Sequence, residues 1–160
     1  MLKQLIQLLN RDLSGRAWET ESSHPFFGDI VLFAFKNSDD SYWEAEIETE
    51  GRSLTVIIQA PDRLEPTEKH VQFIQDLLLD QDATYGRVSE LFSKEYAQWY
   101  GQPLLRNWRA AFRLVAITIP VGCDQFNDWD ISYECLSDGH GHHFTCYFAG
   151  GKASGVSVDG

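Results

Sequence analysis

The sequence predicts an α+β fold: an antiparallel sheet of about six to seven strands with helices packed mainly on one face, in the order α-βββ-αα-ββββ. Three observations carry this. Apolar residues recur at helical spacing in the first dozen positions and again between 66 and 100. Within residues 42–49, Trp43 to Glu48 alternate strictly between apolar and acidic. Short apolar runs separated by Gly- and Asp-containing turns fill the last fifty positions. At 160 residues with 43% apolar side chains, the chain suits one domain spanning 1–160 with a sizeable core.

In chain order, Leu2, Leu5, Ile6, Leu9 and Leu13 predict an amphipathic helix over 1–14, closed by Ser14-Gly15 and docked on the domain. Residues 18–27 show no clear period, and His24-Pro25 favours an extended or turn conformation. A strand over 29–36 ends at Asn37-Ser38-Asp39-Asp40, and a second over 42–49 ends at Glu50-Gly51. A third covers 52–59. Pro66 suits the first turn of a helix carrying Val71, Ile74 and Leu78. A second helix over 83–100 buries Val88, Leu91, Phe92, Tyr96 and Trp99, with Gly101 and Pro103 as stops. Strands follow at 108–119, 130–137, 142–148 and 152–158.

The net charge is −11, from 24 acidic and 13 basic side chains. A polyanion such as nucleic acid or an anionic membrane would be repelled and a basic protein attracted. No apolar run approaches the roughly 20 residues of a membrane span. Cys123, Cys135 and Cys146 form neither an even disulfide set nor a CxxC pair, which suits a reducing compartment, and the expected location is cytoplasmic. No GxSxG, HExxH, Walker A, GxGxxG or EF-hand pattern is present, so neither an enzyme nor a cofactor is expected. The five tryptophans read as core and interface packing before a sugar platform.

Two clusters stand out. Asp39, Asp40, Glu44, Glu46, Glu48 and Glu50 place six carboxylates within twelve residues, with no base among them. Alternation puts Glu44, Glu46 and Glu48 on the face opposite Trp43, Ala45 and Ile47, as a partner-binding surface for cationic groups. The competing reading pairs these glutamates internally with Arg109 and Arg113 on a neighbouring strand. The second cluster, Asp138, His140, His142 and His143 with Cys135 nearby, supports an alternative function as a metal-binding protein or metal-dependent hydrolase. Against it, adjacent His142 and His143 in a strand project to opposite faces. With His140-Gly141 as the turn, Cys135 falls opposite Cys146 on a face shared with Ile131, Tyr133, Phe144 and Phe148.

Two stretches carry a resemblance. His24-Pro25-Phe26-Phe27-Gly28 leads into a strand, with Trp43 and Gly51 following. Later, Gly139-His140-Gly141, a hydrophobic strand and Gly150-Gly151-Lys152 precede a last strand ending Val158-Asp159-Gly160. Over 24–160 the chain resembles a group of small bacterial domains, some encoded beside secreted antibacterial toxins. His140 and Gly141 match that group's Glu-His-Gly tip, while Gly139 and His142 depart from it. The resemblance implies an immunity protein that protects the producing cell by binding a cognate toxin. Charge adds that such a toxin is basic.

Overall fold

Residues 18–160 are described by a computed structural model. Their strands are β1 (Trp18–His24), β2 (Gly28–Ala34), β3 (Tyr42–Thr49), β4 (Arg52–Gln59), β5 (Phe112–Ile119), β6 (Trp129–Cys135), β7 (His143–Ala149) and β8 (Lys152–Asp159). Between β4 and β5 lie α1 (Glu68–Leu79), α2 (Gln81–Gly86), α3 (Ser89–Tyr100) and the single turn α4 (Trp108–Ala111). The strands form one sheet in sequential order, β1 to β8. Every neighbouring pair is antiparallel except β4 and β5, which are parallel. Two four-strand meanders are thus joined by a helical crossover, the connection that parallel neighbours require.

The period-2 pattern decides which face the crossover covers. Trp43, Ala45 and Ile47 of β3 are buried with Leu54, Val56 and Ile58 of β4 and Ile30 and Leu32 of β2. Val71, Phe73, Ile74 and Leu77 of α1 pack on this side. At its other end Phe92 of α3 is fully buried against the rings of Phe112, Tyr133 and Phe144, with centroids 5.2, 5.6 and 5.5 Å away. Trp129 stacks on Phe148 at 4.1 Å and meets the edge of Phe73, under the guanidinium of Arg87. Three of the five tryptophans are therefore placed as packing groups: Trp43, Trp129, and Trp108, which stacks on Tyr85 at 4.4 Å.

Several boundaries differ from the sequence expectation. The sheet has eight strands among the described residues rather than six or seven, because 18–24 is a strand. Trp18-Glu19-Thr20-Glu21-Ser22-Ser23-His24 is mostly exposed and, among the described residues, pairs on one side only, so no buried stripe marks it. The helix expected over 83–100 is two helices, α2 and α3, separated at Arg87-Val88 just after Gly86. Residues 108–111 form a helical turn rather than strand, capped by Asn107 Oδ1 accepting the Arg109 N–H at 3.2 Å. The helix expected over 1–14 lies outside the described residues.

Candidate functional site

The alternation of β3 puts Glu44, Glu46 and Glu48 on the sheet face opposite the helices, as the sequence requires. Their surroundings are not uniform. Glu46 Oε1 accepts the Thr55 hydroxyl at 2.6 Å, and its other oxygen accepts the Ser53 hydroxyl, so this carboxylate is bound to β4. Glu48 is exposed. Burial pushes the neighbouring Tyr42 hydroxyl up to about 12, with Glu44 and Glu19 adding to the rise; this part of the sheet carries a negative field.

The six carboxylates do not form one patch. Asp39 and Asp40 lie in a 3-10 turn before β3, where Asp40 accepts from Asn37 Nδ2 at 2.9 Å. Glu50 follows the other end of β3 and accepts from Gln81 Nε2 at 3.1 Å. The internal arginine pairing takes a different form from the one expected. Arg113 bonds Glu134 on β6, and Arg109 pairs with Asp82 at 3.3 Å while lying over the Trp108 ring. Arg109 sits in α4, and β5 is separated from β3 by β4, so the geometry directs both arginines to other carboxylates.

Sequence reading missed a groove beside β3. Pairing between β2 and β3 runs only from Phe33↔Tyr42 to Ile30↔Ala45, whereas β3 stays paired with β4 through Thr49↔Arg52. From Glu46 onward, β3 has no described strand on its β2 side. The gap opens into a groove of about 770 Å³ between the β1–β2 turn, the end of β3 and α1. Phe26, Phe27, Ile47, Leu78 and Leu79 give it apolar walls, and Glu46, Glu48 and Asp76 line it with carboxylates. Leu79 is 88% exposed. The turn motif behind this groove is structural: His24 Nδ1 accepts the N–H groups of Phe26 and Phe27 at 3.2 and 3.3 Å, Phe27 fills the core, and Gly28 takes φ 71°. Such a groove suits an extended chain added at a strand edge, with basic side chains meeting the carboxylates.

The histidine-bearing tip has another architecture. The Asp138 side chain is 1% exposed; Oδ1 accepts the N–H groups of His140 and Gly141 at 2.9 and 3.0 Å. Oδ2 accepts the Tyr100 hydroxyl at 2.7 Å and lies 2.6 Å from His142 Nδ1. Burial alone would raise the Asp138 pKa, but these four contacts outweigh it and hold the carboxyl well below its ordinary range. The carboxylate is thus taken up by the loop it closes and by Tyr100 of α3. His140 is exposed beside His142, whereas His143 starts β7 opposite Glu134, turned from the other two. Among the described residues no three His, Cys, Asp or Glu side chains are grouped to hold a metal. Cys135 pairs with His142 through its N–H, and Cys146 pairs with Ile131, so the two thiols are not opposite one another, although both face the core.

No described helix is long and apolar enough to cross a membrane. Comparison with protein-family models, curated proteins and solved structures finds no match for this chain.

Proposed function

We propose that this chain is a protein-binding module of the immunity type, a cytoplasmic protein that neutralises a basic toxin by docking it in the groove beside β3. The observation that carries the reading is the groove itself. A strand edge with no described strand beside it, apolar walls and carboxylates from two elements meet in one place on a chain of net charge −11. Backbone pairing and the apolar walls would supply affinity. Glu48 and Asp76 would chiefly speed encounter and reject acidic partners. The resemblance over 24–160 supports the toxin as partner class, and the same charge opposes binding to nucleic acid or an anionic membrane.

Co-expression with the product of the adjacent gene tests this. A toxic product whose effect is relieved, and which co-purifies with this chain, supports the assignment. A harmless product that does not bind overturns it.

A further inference from the structure

Where β4 and β5 part, the local charge is the reverse of the chain's. Parallel pairing begins only at Thr55↔Ala116, so Arg52, Ser53 and Leu54 have no described partner on the β5 side. A cavity of about 150 Å³ opens there between the β3–β4 turn, α4 and the start of β5. Arg52, Arg109 and Arg113 line it against one carboxylate, Glu50. Two of the three guanidinium groups are held in place: Arg109 lies over the Trp108 ring at 4.6 Å and pairs with Asp82 at 3.3 Å, and Arg113 bonds Glu134. The nearby carboxylates have other donors as well. Asp82 accepts the Trp108 indole N–H at 2.8 Å, and Glu50 accepts from Gln81 Nε2. Arg52 is exposed, and its guanidinium has no partner among the described residues.

We infer that this cavity binds a small multivalent oxyanion, inorganic phosphate or the terminal group of a phosphomonoester. A guanidinium carries five N–H donors in a fixed fork, so Arg109 and Arg113 keep donors to spare after each engages its carboxylate. Three such forks around one cavity match the several oxygens and near-double charge of a phosphate better than those of a single carboxylate. Size selects too. A cavity of about 150 Å³ takes a molecule as small as benzene, whereas drug-sized ligands need roughly 300–1,000 Å³, so only the phosphate group itself would enter. The overall charge of −11 does not decide the outcome. At physiological salt, charges beyond about 8 Å are largely screened, and the arginines are the groups at hand. The inference does not depend on the docking groove, which opens on the β2 side of the β3–β4 hairpin rather than on its β5 side.

The test follows the backbone N–H signal of Arg52 and the indole N–H signal of Trp108 by NMR, in the full chain at neutral pH and constant ionic strength. Inorganic phosphate and glycerol 3-phosphate are titrated beside acetate and chloride. The expected result is a saturable shift of both signals, with a dissociation constant below about 1 mM for at least one of the phosphates and no saturation by acetate or chloride. The tighter of the two phosphates identifies the source of the group. Arg52→Gln, a change at an exposed position, should weaken binding at least about tenfold. Glu50→Gln removes the opposing charge and should tighten binding at least about twofold, a gain that misfolding does not produce. Failure of both phosphates to saturate, or an equal response to acetate, would overturn the inference. Unaltered affinity in folded Arg52→Gln, or no tightening in Glu50→Gln, would do the same.

Discussion

Replacing Asp138 tests whether the histidine-bearing tip is a closed structural loop. In Asp138→Ala, the N–H groups of His140 and Gly141 regain water, whereas Tyr100 and His142 lose a carboxylate in a site where that side chain was 1% exposed. Hydrogen bonds to a charged group contribute roughly 1.5–3 kcal/mol each, and partial rehydration leaves a net loss of about 2–3 kcal/mol. For a chain of this size that corresponds to a melting temperature lower by about 4–12 °C. Asp138→Asn retains shape and one acceptor, so about half that fall is expected. The pH dependence has a definite sign. A carboxyl held below its unfolded value contributes stability above about pH 4, and that contribution is lost as the pH falls through the lowered value. The gap between the native chain and Asp138→Asn therefore narrows on acidification. Melting followed by circular dichroism across this range reads it. A gap under about 1 °C at neutral pH, or one that widens in acid, would refute the reasoning.

Three further outcomes follow from the same geometry. Phe92→Ala removes a fully buried ring from the Phe112, Tyr133 and Phe144 cluster, so urea denaturation should show a loss of about 3–5 kcal/mol; under about 1 kcal/mol would mean the ring is not central. Burial raises the Asp130 carboxyl to about 6, against the Thr118 hydrogen bond. Stability linked to it is present below the ordinary carboxylate value and lost as pH rises through about 6. Discounted for partial exposure, Asp130→Asn should stabilise the chain by about 1–2 kcal/mol at neutral pH and by little at about pH 4; a destabilised variant at neutral pH contradicts this. Glu46→Ala should cost about 1 kcal/mol through Ser53 and Thr55, and Glu48→Ala less than about 0.5; equal losses would contradict the distinction between the two carboxylates.

Where side-chain parity alone sets the outcome, the sequence is informative. Trp43, Ala45 and Ile47 face the helices because a strand with one buried face admits no other register. The same rule explains a benign error: Cys135 lies opposite His142 rather than Cys146, because the β6–β7 turn is centred on Asp138-Gly139, two residues before His140-Gly141. The slip amounts to four residues, an even number, so every side chain keeps its face. Long-range geometry was not legible. Nothing local in 52–59 or 112–119 announces parallel pairing, and Arg109 and Arg113 found Asp82 and Glu134 through contacts between distant segments. The groove arises from where β2 and β3 part company, a property of two strands together. β1 was missed because an outer strand with polar residues on both faces carries no apolar period.

The most direct measurement is the association rate of the basic protein recovered by co-expression, compared between the native chain and Glu48→Lys with Asp76→Lys. These positions serve better than Glu46, whose carboxylate is tied to β4. The expected result is association slowed by at least about tenfold at low salt, a difference that shrinks as salt rises, and a melting temperature within about 2 °C of the native chain. An unchanged association rate in the fully folded variant would contradict docking in the groove beside β3.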